Sequence, residues 1–179
     1  MAKAKQERTG LIIVNTGNGK GKTTAALGTA FRALGSGFKV YMVQFIKGPW
    51  KAGEHRMAEK LSPDLTIKRM GEGFTWKTKD RERDTEVAHE AWSFCNDLIK
   101  QDGHDLLIFD EINVALSLGY LEVAEVVTAI QNKPEKMHII LTGRDAPQEL
   151  IDVADLVTDM REVKHPFNAG IYAQKGIEF

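Results

Sequence analysis

Cysteine is nearly missing from this chain. Cys95 is its one example, so an internal disulfide is excluded. Set among Trp92, Phe94 and Leu98, it reads as a buried thiol and not a nucleophile. No apolar run is long enough to cross a bilayer, and the opening MAKAKQERTG lacks the apolar core of a signal peptide. Net charge is also almost absent, with Lys+Arg 24 against Asp+Glu 25 over 179 residues. That balance argues against nucleic acid or an anionic membrane as the main partner. No Cys/His cluster has zinc-ligand spacing, and no Ser/His/Asp or Cys/His order suggests a triad. Repeats, low-complexity tracts and linker-like stretches are lacking too. The expectation is a cytoplasmic, soluble protein of one domain over 11–179, preceded by a polar segment, 1–10, that is mobile without a ligand.

What the chain does have is TGNGKGKTTA, from Thr16 to Ala25. It follows the apolar Leu11–Val14 and leads into a helix-prone Thr24–Leu27. Strand, glycine-rich turn and helix are the context of a phosphate-binding loop. There, backbone N–H groups and the positive end of a helix dipole converge on phosphate oxygens. Lys22 supplies a point charge, and the Thr23 hydroxyl a ligand for Mg²⁺ or Mn²⁺. The spacing departs from G-x-x-x-x-G-K-[ST]. Either Thr16 fills the first glycine position, or the loop runs from Gly17 and is one residue short.

The remaining pattern alternates strands with helices. Strands are predicted at Leu11–Asn15, Lys39–Phe45, Thr66–Arg69, Asp105–Asp110, His138–Thr142 and Leu156–Asp159. Most are apolar throughout, as in a parallel sheet covered on both faces. Helical periodicity runs from Asp80 to Gln101, with Val87, Ala91, Phe94, Cys95 and Leu98 on one stripe. Glu122–Asn132 is a second helix, and Pro147 reads as an early helical position before Gln148–Val153. This is an α/β domain with a mostly parallel sheet flanked by helices, whose ligands bind beyond the carboxyl ends of the strands.

At those ends, Leu106–Phe109 leads into Asp110 and Glu111, where a phosphate-loop protein holds the acid that serves its Mg²⁺. Gln44 sits among apolar neighbours near the end of the second strand, with Lys47 and Trp50 just beyond. Lys47 either reaches phosphates or is a solvated loop lysine. Arg144, after the fifth strand, clamps an anion or pairs with Asp145. Phe74 and Trp76 follow a glycine-flexible stretch, and either pack in the core or form a wall for a planar ligand. His165, in a loop-like run, is compatible with a ligand, a base or a packed side chain.

Together TGNGKGKTTA, VQFIKG, GEGFTW, the Asp110–Asn113 segment, LTGR, the KHPF run and the closing QKGIEF resemble, in order, the P-loop ATP:corrinoid adenosyltransferases. The resemblance covers nearly the whole chain. It implies a RecA-like P-loop fold, a homodimer, and ATP bound in an orientation reversed from ordinary P-loop enzymes. The implied reaction moves the 5′-deoxyadenosyl group of ATP onto the Co(I) of a reduced corrinoid and releases triphosphate. It further implies a flavoprotein or flavodoxin-type reductant. Carried onto this chain, Asn18, Gly19, Lys20, Gly21, Lys22, Thr23 and Thr24 hold the polyphosphate, joined by Gln44, Lys47 and Arg144. Thr23 and Glu111 become metal ligands with Asp110 in support, and Phe74 and Trp76 face the corrin ring. Two other classes share the loop. A phosphotransferase or ATPase would release ADP, and a nucleotide sensor or nucleic-acid motor would not alkylate cobalt.

Overall fold

The computed structural model describes residues 8–46, 52–71 and 80–178. Over that span the elements are β1 (Ile12–Thr16), α1 (Lys22–Gly35), β2 (Val40–Gln44), α2 (Gly53–Leu61), β3 (Leu65–Arg69) and α3 (Arg81–Gln101). They continue with β4 (Leu106–Asp110), α4 (Ile112–Ser117), α5 (Val123–Gln131), β5 (His138–Thr142), α6 (Gln148–Val153) and β6 (Leu156–Asp159). The six strands form one parallel sheet in the order β3-β2-β4-β5-β1-β6.

The chain moves toward one edge from β1 to β3, then turns back through β4 and β5 to β6. With right-handed crossovers, that reversal puts the helices before it and those after it on opposite faces. Packing agrees. Ala26 and Ala30 of α1 and Ala58 of α2 meet Val40, Met42, Leu106, Ile108 and Ile140 on one face. On the other, α3 through α6 bring Ala91, Trp92, Val126 and Leu150 against Val43, Leu107, Phe109, Ile139 and Leu141. Neighbouring residues of β4 thus divide between two cores, which explains why the strand reads as an unbroken apolar run.

Strand β6 departs from that expectation. It is an edge strand exposed along its length, with Leu156 at 50% and Val157 at 36%. Local boundaries also shift. Asp80 caps α3, its carboxylate accepting from Arg83 N–H, and Pro147 precedes α6 as its cap instead of entering it. The α3 stripe extends to Trp92, which is buried and donates its indole N–H to Glu125 at 2.8 Å. Phe94 is only half-buried, beside Tyr41 and under the Lys68 ammonium. Cys95 is fully buried, and that burial pushes its thiol pKa well up, opposed by Lys68, as suits an inert core residue.

Of the N-terminal segment, residues 1–7 lie outside the described span, whereas Arg8 pairs with Asp105 and Gly10 N–H donates to Glu135.

Candidate nucleotide site

Because every strand runs the same way, Thr16, Gln44, Asp110 and Thr142 end along one edge of the sheet. Register then decides who meets whom. Gln44 stands opposite Asp110 across β2 and β4, and Phe109 opposite Leu141 sets Thr142 beside Asp110. Residues in register on parallel strands share a face, so these three polar side chains converge without any help from a loop.

The loop after β1 resolves the question of its length. Thr16 is the last strand residue, paired with Asp159, and its hydroxyl accepts from Ala146 N–H. Gly17 therefore opens the loop, and residues 17–21 are all that separate β1 from α1. Gly17 lies at φ 92° with no room for a side chain: a Cβ would fall 2.0 Å from Asp159 Oδ1. Gly21, at φ 115°, turns the chain into α1. The first turn of α1 carries no acid, unlike α2 with Glu54 and α3 with Glu82 and Asp84. Its dipole end is left for an external anion.

Lys22 folds back over this loop, and its ammonium donates to Gly17 O at 2.7 Å and Gly19 O at 2.8 Å. Burial lowers its pKa. The Glu111 carboxylate opposes that shift and the Arg144 guanidinium adds to it. An arriving polyphosphate would supply the negative charge that such a lysine lacks.

Thr23 lies on the sheet-facing side of α1, one turn before Ala26, and its hydroxyl donates to Asp110 Oδ1 at 2.7 Å. Thr142 donates to the same oxygen at 2.8 Å and accepts from Glu111 N–H at 3.0 Å. Gln44 donates to Asp110 Oδ2 at 3.1 Å. Asp110 is thus completely buried yet held by three uncharged donors. Glu111 sits at φ 66°, a left-handed conformation costing about 1 kcal/mol or more in a non-glycine residue. Beyond that turn Glu111 lines the cleft, whereas Asp110 stays buried.

The cleft has a volume of ≈ 650 Å³. It is lined by the loop residues Asn18, Lys20, Thr23 and Thr24, by Glu111 and Arg144, and by His165, Phe167 and Ile177. Thr23 and Glu111 offer hard oxygen donors, with Asp110 directly behind. Such a set suits Mg²⁺ or Mn²⁺, which keep water and take phosphate oxygens. Among the described residues no group of three or more His, Cys, Asp or Glu is placed to hold a metal ion.

A family model described as ATP:corrinoid adenosyltransferase BtuR/CobO/CobP matches residues 8–179. The chain belongs to the corrinoid adenosyltransferases. It is 49% identical to a corrinoid adenosyltransferase of Sinorhizobium sp over 177 residues, covering 98% of this chain and 83% of that relative. A corrinoid adenosyltransferase of Escherichia coli K12 is 44% identical, over 100% of this chain and 90% of its own. In structure, the chain resembles the flagellar accessory protein FlaH of Methanocaldococcus jannaschii. The TM-score is 0.54 at 15% identity, over 84% of this chain and 70% of that one, a likeness of fold alone.

On this adenosyltransferase, the loop residues, Lys22, Thr23, Glu111 and Arg144 share one cleft. Gln44, expected among the nucleotide contacts, has no exposed surface, because its amide is spent on Asp110 and His55. Lys47, Phe74 and Trp76 lie outside the described residues. His165 caps the Pro166–Ala169 turn, its Nδ1 accepting from Phe167 N–H at 3.2 Å. Thr142 lies in the LTGR run, where only Arg144 suggests a role, and His55 lies in no motif. Gln44, a polar residue in an apolar strand, is the signal that leads to both.

Proposed function

We propose that the chain transfers the 5′-deoxyadenosyl group of ATP to the Co(I) of a reduced corrinoid. The observation that carries this reading is a cleft suited to a polyphosphate, found in a corrinoid adenosyltransferase. The loop, Lys22, Thr23 and Glu111 line it, α1 begins without an acid, and Asp110 lies buried behind Thr23.

The cobalt lone pair attacks C5′ of the ribose. A Co–C bond forms, the C5′–O bond breaks, and its electron pair leaves with triphosphate, taking cobalt from Co(I) to Co(III). No proton moves at the reacting atoms, so the chain needs no general base. Its task is electrostatic. Lys22 and the backbone N–H groups of residues 20–23 would face the charge that accumulates on the leaving group, whereas Gly19 N–H is already given to the Met160 carbonyl; prearranged donors of this kind do most when water is excluded. A bound Mg²⁺ would neutralise further phosphate charge, with Thr23 and Glu111 as its protein ligands and Asp110 in support.

Phe74 and Trp76 are the candidates for the corrin face. Being bulky and without a lone pair for cobalt, they would leave Co(II) without a lower ligand and easier to reduce. Lys47 would add a further phosphate contact. A flavoprotein-type reductant, a homodimer and a cytoplasmic setting complete the reading.

The decisive experiment incubates the protein with ATP, Mg²⁺ and a chemically reduced corrinoid. A light-sensitive alkylcobalt spectrum together with equimolar triphosphate is expected. ADP or orthophosphate with no alkylcobalt product would replace this reading with phosphoryl transfer.

A further inference from the structure

His55 is 8% exposed and stands behind the cleft, three residues into the sequence that starts α2. Its Nδ1 accepts from Ala52 N–H at 3.0 Å, the backward reach of a residue at the third helical position. A backbone N–H can only donate, so the proton of the neutral ring belongs on Nε2. That nitrogen lies 2.7 Å from Gln44 Oε1. The far end of the same amide donates to Asp110 Oδ2 at 3.1 Å.

The order of donors matters. A glutamine amide is nearly symmetric in shape, and its two ends are told apart only by their partners. Turned by half a rotation, Gln44 would set its oxygen against the Asp110 carboxylate and its NH₂ against the His55 N–H, losing both bonds. The helix start thus fixes the ring tautomer, the ring fixes the amide, and the amide fixes one oxygen of the acid. The other oxygen, Oδ1, is left facing Thr23 and Thr142.

We propose that His55 is a positioning residue: through Gln44 it holds Asp110 in the orientation that serves the cation carried by the nucleotide. This rests on the reading of Asp110 as a supporting acid for that cation, and not on what the enzyme does to cobalt.

The test is therefore made without corrinoid. Mn²⁺ binding to the protein in the presence of ATP is measured by electron paramagnetic resonance, alongside thermal melting. His55→Ala and His55→Asn should weaken Mn²⁺ binding about 10-fold, the lower end of the usual cost of removing an outer partner of a metal site, because the ring acts on Asp110 through Gln44. Asn can still accept from Ala52 and keep the helix start, but does not reach Gln44. His55→Gln places an amide N–H near the position of Nε2 and should stay within about threefold of the parent. In a Gln44→Ala background, His55→Ala should add less than about twofold, because the route through the amide is already cut. If His55→Ala does not fold, the Asn and Gln variants decide. Unchanged Mn²⁺ affinity in the Asn variant would overturn the proposal, as would equal losses in the Asn and Gln variants or an undiminished loss in the Gln44→Ala background. A parent protein that binds no Mn²⁺ with ATP would remove the role of Asp110 on which it stands.

Discussion

Strand β4 has an aspartate at each end, and the two are treated differently. Asp105, just before the strand, accepts from the Arg8 guanidinium at 2.7 Å and from Lys39 N–H at 2.9 Å. One donor is charged and the other is fixed backbone, and together they outweigh burial to hold its pKa below the usual carboxylate value. Asp110, at the other end, is fully buried but receives only side-chain donors without charge, from Thr23, Gln44 and Thr142. The amino end of the sheet has already neutralised its acid. The carboxyl end has oriented its acid with neutral donors, and the Lys22 charge acts on it only at a distance, without a hydrogen bond. A buried carboxylate held by neutral donors contributes less to stability than one paired with a cation, and more to binding a cation.

The largest effect should come from the charge that faces the leaving group. Lys22→Ala is expected to lower alkylcobalt formation at least about 100-fold with little change in melting, since its ammonium contacts only loop carbonyls. Near-normal turnover in that variant would detach the loop from the chemistry and erase the contrast between the two ends.

A paired substitution tests the contrast directly. Asp110→Asn should raise the Mg²⁺ concentration for half-maximal activity about 10- to 100-fold. Asp105→Asn should leave that requirement alone and cost about 1 kcal/mol or less of stability, as for other partly exposed ion pairs. That loss would lower the melting temperature by about 2–4 °C in a domain of this size. Equal Mg²⁺ dependence in both variants would mean that neither acid serves a cation.

Sequence patterns expose the two ends unequally. The loop, Lys22, Thr23 and the acids after β4 are legible because each lies within a few residues of a strand end, where glycine spacing and apolar runs are local signals. Most strands read as covered on both faces for the same reason, which holds for β1, β2, β4 and β5, whereas the edge strands β3 and β6 are exposed in part or along their length. Gln44 is visible as a polar residue in an apolar strand, but its partner is not. Its pairing with Asp110 depends on register between β2 and β4, which are separated in the chain by β3 and two helices. His55 is harder still. Its helix is capped by Ala52, with no Ser, Thr, Asp or Asn to announce the start, so α2 itself goes unread. At the other end, the Arg8–Asp105 pair spans nearly a hundred positions in the chain, and no local pattern links them.

The smallest expected effect is a pH dependence of stability seated at the amino end. Burial, then the Arg8 and Lys133 charges, lower the His138 pKa against a weaker pull from Asp105. Burial and then Lys39 lower the His104 pKa, again opposed by Asp105. Both folded-state values lie below the ordinary 6.5. In the window below that value the unfolded chain binds more protons than the folded one, so stability rises with pH there. The contribution is complete above the unfolded value and is lost as pH falls through it toward the folded values. Protonation of His138 at Nδ1 would also cost the bond it accepts from Leu11 N–H at 3.1 Å. Melting measured from about pH 7.5 down to about pH 5 should show a falling midpoint, and His138→Gln should flatten the fall. Metal and nucleotide binding should follow a different profile, because neither histidine lines the cleft. A melting curve unchanged over that range, or one whose slope survives the substitution, would remove these rings from the stability of the amino end. It would then fall to Arg8 and Asp105 alone to distinguish that end from the other.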